Sequence, residues 1–313
     1  MTKSSEVILL AGPTASGKTA LALDIAEALG ATVINADSMQ VYEDLHVLTA
    51  RPDPAELARA PHRLYGVLPG GEACSVARWL DLALPEICQA WAEDMVPLLV
   101  GGTGMYLQAL VKGLSPIPEV PAAVREQATV LLDQLGGAVF REKLRRLDPE
   151  TAARLPDGDR QRLIRAYEVA VGTGRSLSQW QRDDPPAGPL PEARFTRLLL
   201  QPPREALYER CDQRFDRMMG RGALDEVRAL AAQDLNPALP VMKAVGVPPL
   251  LSLLRGEIDE DQAREDCQRA TRQYAKRQTT WFRHQFDPHH VISSLYIPQA
   301  AKTVVAYLQN RLG

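Results

Sequence analysis

The chain has 313 residues, 45% of them apolar and 24% charged, and a formal net charge of −3. That length suits one large domain or a core with an insertion, and the composition is that of a globular protein, not a disordered or fibrous one. No run approaches the roughly 18 apolar residues of a membrane span, and no signal peptide precedes the first apolar run. A net negative chain does not advertise nucleic-acid binding, so any such role must rest on local patches.

The run Val7-Ile8-Leu9-Leu10-Ala11 reads as a buried strand. It leads into Gly12-Pro13-Thr14-Ala15-Ser16-Gly17-Lys18-Thr19, a complete phosphate-binding loop. The glycines let the backbone curl so that successive N–H groups point at phosphate oxygens, and the helix that follows adds its partial positive charge. That helix is the amphipathic run Leu21–Leu29, closed by Gly30 as a C-terminal cap. Lys18 reaches toward terminal phosphate oxygens and Thr19 toward a Mg²⁺ ion. The expected ligand is a di- or triphosphate.

Further along, Thr32–Asn35, Val96–Val100, Arg197–Gln201 and Val291–Leu295 read as buried strands, with Val76–Glu93 and Leu207–Gln233 as helices. Strands alternating with helices predict an α/β fold: a P-loop NTPase-like parallel sheet flanked by helices. Ligands in such sheets sit beyond the carboxyl ends of the strands. The second strand runs there into Ala36-Asp37-Ser38-Met39-Gln40, and the Val96–Val100 strand into Gly101-Gly102-Thr103-Gly104.

Residues 117–193 differ from their surroundings. Prolines border them at Pro116, Pro118 and Pro121 and at Pro185, Pro186 and Pro191. Between lie only helical patterns, Ala122–Leu135, Val139–Leu147, Glu150–Leu155 and Arg160–Thr173. This predicts an inserted all-helical subdomain, with 1–116 and 194–313 forming the core.

Asp37 stands just past a strand end near the phosphate loop, where it can serve as a general base, a Mg²⁺ ligand or an N-cap. No Asp closes the apolar run Met95–Val100, as one usually does in a phosphorylating or hydrolysing P-loop protein. Cys74, Cys88, Cys211 and Cys267 are scattered, which fits reduced, mostly buried thiols better than a disulfide framework or zinc site. His289-His290 lacks a partner at metal spacing and reads as a surface turn. Between Asp266 and Asp287 no acidic residue interrupts Arg269, Arg272, Lys276, Arg277 and Arg283, with Tyr274, Trp281 and Phe282 interleaved. A basic helix with aromatics suits a phosphate backbone. Smaller clusters lie at Arg160, Arg162 and Arg165 and at Arg141, Lys143, Arg145 and Arg146.

Taken together, Gly12–Thr19, Asp37–Tyr42, Val100–Leu107, Gln161–Val169 and Thr271–Arg283 resemble, in order and spacing, the signature of the bacterial tRNA dimethylallyltransferases. The resemblance implies transfer of a dimethylallyl group from dimethylallyl diphosphate to the N6 amine of the adenosine 3′-adjacent to the anticodon in tRNA, with release of diphosphate. It implies that the phosphate loop holds that diphosphate, and that Mg²⁺ is the cofactor. Asp37 and Thr103 would contact the target adenine, Asp37 accepting the amine proton. Asp37, Ser38, Met39 and Gln40, with Gln161, Arg162, Leu163, Ile164, Arg165 and Arg125, match positions that touch the tRNA anticodon stem-loop, and Arg214 matches a diphosphate or tRNA contact. The expected protein is a cytoplasmic monomer without membrane association.

The chain departs from the family pattern at Leu48 (usually Gly), at Val247 after Gly246 (usually Tyr), and around Tyr65-Gly66, where a common Asp is missing. From the residues alone three rivals stand: a P-loop kinase with Asp37 as base, a nucleotide-switched RNA-binding protein, and a prenyltransferase acting on free adenine nucleotides.

Overall fold

The computed structural model describes residues 5–312. Strand β1 (Glu6–Ala11) is buried along its whole length. Its alternation divides the core: Val7, Leu9 and Ala11 join one apolar cluster, Ile8 and Leu10 the other. A strand covered on both faces has to be apolar, and this one is from Val7 to Ala11. Helix α1 (Lys18–Leu29) opens directly from the phosphate loop and stops at Gly30, whose N–H bonds the Ala26 carbonyl. After β2 (Ala31–Asn35), a capping box between Asp53 and Glu56 starts the short α2 (Pro54–Leu57), and β3 (His62–Arg63) follows. Then come α3 (Val76–Ala92), β4 (Val96–Gly101) and α4 (Gly104–Lys112).

Residues Lys112–Pro189 form a compact unit of their own, starting and ending slightly before the borders at 117 and 193 that the prolines suggested. It contains α5 (Ala122–Arg145), α6 (Pro149–Arg154), α7 (Arg160–Thr173) and α8 (Leu177–Asp183). Leu132, Phe140, Leu144, Leu163 and Ile164 meet in its core. The two helices expected at Ala122–Leu135 and Val139–Leu147 are both present within α5, separated at Gly136, whose φ of 72° and ψ of 162° are not helical. The fourth helix was missed because seven residues are too few for a clear period; its signal was the capping box of Ser176 and Gln179.

The chain re-enters the other unit at β5 (Arg194–Leu200), followed by α9 (Arg204–Met219) and α10 (Ala223–Ala231). These two replace the single helix expected over Leu207–Gln233; Gly222 at φ 94° turns the backbone where an L side chain would be strained. Next are α11 (Val247–Leu254), α12 (Glu260–Gln285), β6 (His290–Ile292) and α13 (Pro298–Leu312). Asp259 caps α12, with Glu260 and Asp261 in its first turn and Arg283 and His284 in its last, a charge order that complements the helix dipole over 26 residues.

All strand pairs are parallel, in the order β3-β2-β4-β1-β5-β6. Helices α1 and α13 cover the face carrying Ile8 and Leu10, while α3, α4 and α9 to α12 cover the other. The order has a direct consequence for the site: β2, β4 and β1 are neighbours, so the Asp37 segment, the Gly-Gly-Thr-Gly turn and the phosphate loop leave the sheet side by side. Among the described residues no helix is long and apolar enough to cross a membrane. All four cysteines are free; Cys211 and Cys267 are buried, Cys74 is half-buried and Cys88 is exposed. His289 is exposed, but His290 belongs to β6 and not to a turn.

Candidate active site

At the carboxyl end of β1 the loop Gly12–Thr19 holds its shape through its own lysine, whose Nζ donates to the Pro13 carbonyl at 2.8 Å. Gly12, Pro13 and Ser16 are buried behind the loop, and the Ser16 hydroxyl has no hydrogen-bond partner among the described residues. Thr14, Ala15, Gly17, Lys18 and Thr19 line a cleft of about 440 Å³. That volume falls within the ordinary range for a small-molecule site.

Asp37, Ser38, Met39 and Gln40 form the adjoining wall. Asn35, fully buried at the end of β2, fixes this segment: its Oδ1 accepts the Asp37 N–H at 2.8 Å, and its Nδ2 donates to the carbonyls of Asp37 and Leu64, each at 3.0 Å. The Asp37 carboxylate accepts the Met39 N–H at 3.0 Å, an Asx turn and not the start of a helix. Gln40 donates to the carbonyls of Thr49 and Ala50 and so holds the stretch containing Leu48 against the cleft.

The Gly-Gly-Thr-Gly turn braces this wall from behind. A Cβ on Gly101 would lie 2.0 Å from the Ala36 carbonyl oxygen, so only glycine permits the approach of β4 to the exit of β2. The Thr103 hydroxyl accepts the Ser38 N–H at 2.9 Å and donates to the Ser38 hydroxyl at 3.2 Å.

The third wall is made by helices. Arg214 on α9 lines the cleft and donates to the Thr14 hydroxyl at 2.9 Å. Arg210 and Arg217 stand at i−4 and i+3 from it and line the same cleft, a helical spacing that was visible in the sequence and unused. Lys243 and, on α12, Thr271, Tyr274 and Arg277 complete it, Arg277 lying over the Tyr274 ring at 5.6 Å. Lys18, Arg210, Arg214, Arg217, Lys243 and Arg277 thus face two carboxylates, Asp37 and Glu56, in a chain whose net charge is −3. None of the six has an ion-pair partner among the described residues.

This crowding shifts protons. Burial pushes the Lys18 ammonium down to about 8, Asp37 pulling it back up and Arg214 adding to the depression. Burial also lowers Arg214, which nonetheless stays charged at working pH. The Tyr65 and Tyr274 hydroxyls are pushed above the ordinary phenol range by burial and by the charge of Asp37, so both stay neutral donors. An anion entering this cleft meets fixed positive charge and neutral hydroxyls. Its apolar lining, Leu48, Cys211, Phe215 and Met218, suits a short hydrocarbon attached to that anion.

Not every residue singled out from sequence belongs here. Leu163 and Ile164 are buried in the core of the helical unit and offer no surface to RNA, which corrects the expectation for that segment. Gln161 is exposed, but Arg162 pairs with Asp159 at 3.4 Å, and Arg165 and Arg125 both reach Glu168, at 2.8 and 3.5 Å. On α12 part of the run of positive charge is compensated: Arg269 pairs with Asp266 one turn earlier on the same helix, and Arg272 with Asp212 of α9 at 2.6 Å. Lys276 is exposed and, with Arg277, lacks such a partner among the described residues. The departure at Leu48 falls on the cleft lining itself.

The model of the IPP transferase family matches residues 40–285, and that of the isopentenyl transferases residues 5–67. The chain is 54% identical over 294 residues to a tRNA dimethylallyltransferase of Rhodospirillum centenum, covering 92% of this chain and 93% of the relative. Against the tRNA dimethylallyltransferase of Rhodospirillum rubrum identity is 50% over 309 residues, 99% of this chain and 94% of the relative. Among solved structures, a full-length tRNA isopentenylpyrophosphate transferase of Bacillus halodurans superposes with a TM-score of 0.71 at 28% identity, covering 98% of this chain and 97% of that one. A eukaryotic dimethylallyltransferase crystallised while acting on tRNA gives a TM-score of 0.83 at 26% identity, covering 98% and 79%. With its cleft, its fold and these relatives agreeing, the chain belongs to the tRNA dimethylallyltransferase (IPP transferase) family.

Proposed function

We propose that the protein transfers a dimethylallyl group from dimethylallyl diphosphate to the N6 amine of the adenosine 3′-adjacent to the anticodon of tRNA. The observation that carries this reading is the meeting, in one cleft, of a phosphate loop, six cations without ion-pair partners among the described residues, and a carboxylate, Asp37, at the end of β2. A cleft so charged suits a diphosphate, and its apolar side chains suit the five-carbon tail.

In this reading the amine nitrogen attacks C1, the C1–O bond breaks, and its electron pair leaves with diphosphate. Lys18, Arg214 and the loop N–H groups stabilise the charge that grows on the leaving group. Asp37 receives the amine proton, which raises the electron density of a weak nucleophile as the new bond forms. The base must leave the anticodon stack to reach the cleft, and the rings of Tyr65 and Tyr274 offer it surfaces for stacking.

Among the described residues no group of three or more His, Cys, Asp or Glu is placed to hold a metal. Thr19 lines the cleft beside the phosphate loop, and its hydroxyl would hold Mg²⁺ together with phosphate oxygens of the substrate. When bound, the ion supplies further charge neutralisation of the diphosphate. Within the helical unit Arg125, Gln161, Arg162 and Arg165 would meet tRNA, and within the larger unit Lys276 and Arg277 of α12 would, with Arg269 and Arg272 held in reserve by their carboxylates.

The test is to incubate the purified chain with Mg²⁺ and, in parallel, labelled dimethylallyl diphosphate with bulk tRNA, the same donor with free AMP, and ATP alone. Label in tRNA adenosine is the expected result. Label in AMP alone, or ATP turnover with unmodified tRNA, overturns the proposal.

A further inference from the structure

Helix α12 does more than carry cations. Tyr274, Gln278 and Trp281 lie at i, i+4 and i+7, on one stripe of the helix. Gln278 is 6% exposed and sits between two loops that leave different strands. Its Oε1 accepts the Thr14 N–H of the phosphate loop at 2.8 Å, and its Nε2 donates to the Gly102 carbonyl at 2.9 Å. The approach at Gly102 is close: a Cβ there would lie 2.1 Å from Nε2 and would displace the amide from this position. One turn further on, a Cβ on Gly104 would lie 2.1 Å from the Trp281 ring. One amide thus spans the 2.8–2.9 Å gaps on either side of it, using its acceptor on one loop and its donor on the other.

We propose that Gln278 is a positioning residue for transfer, setting the phosphate loop in register with the Gly-Gly-Thr-Gly turn, and that it is not itself a tRNA contact, unlike its exposed neighbours Lys276 and Arg277. This rests on the transfer reading above, in which the phosphate loop holds the electrophile and Asp37, on the wall that the Gly-Gly-Thr-Gly turn braces, faces the nucleophile. The two reactants are then carried by different loops, and their separation depends on what ties those loops together. Effective molarity is steep in this separation, so a shift of about 1 Å is worth on the order of 10²-fold in rate. Each loop alone still binds its own partner. Losing the brace therefore lowers the rate and spares both affinities.

The side chain allows a test that separates bracing from bulk. Gln278→Met keeps length and volume and removes both hydrogen bonds. Gln278→Glu keeps the acceptor for Thr14 but sets a carboxylate oxygen against the Gly102 carbonyl, a clash relieved when the carboxyl is protonated and can donate. The readouts are the single-turnover rate of transfer to tRNA, the affinity for inorganic pyrophosphate, and the affinity for tRNA. For Gln278→Met the expected result is a rate lowered on the order of 10–100-fold, with both affinities within about threefold of the parent. For Gln278→Glu the rate relative to the parent should recover as pH falls, which a purely structural role does not produce. If Gln278→Met fails to fold, the pH response of Gln278→Glu decides alone. A parent rate in either folded variant, a loss of tRNA affinity matching the loss of rate, or a Glu variant without pH recovery overturns the inference. Absence of transfer by the unmutated chain overturns the transfer reading instead, so the two failures are distinct.

Discussion

The two compact units handle positive charge in opposite ways. In the cleft of the larger unit, Lys18, Arg210, Arg214, Arg217, Lys243 and Arg277 have no carboxylate partner among the described residues. In the helical unit, Arg146 alone among the described arginines lacks one; Arg141 pairs with Asp157, Arg160 with Asp133, and Arg175 with Asp183 and Asp184. Cations crowded without partners repel one another and are tolerated where an anion is to be bound. Ion pairs at a surface contribute little to stability, so such arginines can exchange a carboxylate for a phosphate at small cost. The difference is one of electrostatics: the cleft concentrates uncompensated positive charge, while the helical unit presents charges already paired.

The sharpest test of the cleft's side of this contrast is Asp37→Asn, which preserves shape and cannot take a proton. The single-turnover rate should fall roughly 10²–10⁴-fold, the range for lost general-base catalysis, with tRNA affinity nearly unchanged. Partial recovery at high Mg²⁺ would make Asp37 a metal ligand instead, and a folded variant with near-parent chemistry would leave the carboxylate only its turn with Met39.

Next in size is a direct comparison of charge reversals. Lys276→Glu with Arg277→Glu, two cations of α12 without ion-pair partners among the described residues, should weaken tRNA binding about 10–100-fold and flatten the slope of log affinity against log salt by about 0.7–0.9 per lost contact. Arg160→Glu with Arg162→Glu should do less on both measures, because Asp133 and Asp159 already neutralise those side chains. Equal slopes for the two pairs would dissolve the distinction drawn between the units.

That distinction also marks where the sequence was legible. Gly12–Thr19 and the strand before it form one contiguous message, since a phosphate loop is made by neighbours in the chain; the structure has them as read. Five of the sheet's six strands and the loop exits followed from strands alternating with helices; β3, only two residues long, carries no period to read. Pairings across long separations did not follow. Asp212 meets Arg272 across 60 positions, and Thr14 meets Gln278 across 264. A basic run on α12 therefore looked uncompensated when read along the chain, although α9 supplies an acid beside it. Leu163 and Ile164 misled for a related reason: a motif is a string, while only one face of its helix reaches solvent.

A smaller effect follows from the crowding around Lys18. Burial holds its ammonium near 8 in the free protein, and a bound diphosphate, being anionic, restores the protonated form. Binding then takes up a proton once pH exceeds about 8. Affinity for inorganic pyrophosphate should be full below that value and fall as pH rises through it, by roughly fivefold from pH 8 to 9 for one coupled group. In Lys18→Arg the guanidinium stays charged, and the part of the decline due to Lys18 should vanish. Titration of pyrophosphate itself is common to both proteins, so the difference between their profiles isolates the lysine. Superimposable profiles would show that the cleft does not hold Lys18 under proton stress.

The least effect is expected from the helical unit, and there its sign matters more than its size. Glu168 is 2% exposed, and one of its oxygens takes both Arg165, at 2.8 Å, and Arg125, at 3.5 Å, while Oε2 has no partner among the described residues. Burying a carboxylate for two half-exposed arginines is a poor way to gain stability. It does hold two guanidiniums in one fixed arrangement at the surface. Glu168→Gln frees them, and re-ordering each on binding costs about 0.5–1.5 kcal/mol. Against this, the unit gains one positive charge, which favours tRNA. If orientation dominates, tRNA affinity drops roughly 2–10-fold while pyrophosphate affinity stays at the parent value. If tRNA binds more tightly to the Gln variant, the carboxylate acts as a brake on charge, and the helical unit attracts tRNA by net field, just as the cleft attracts its anion.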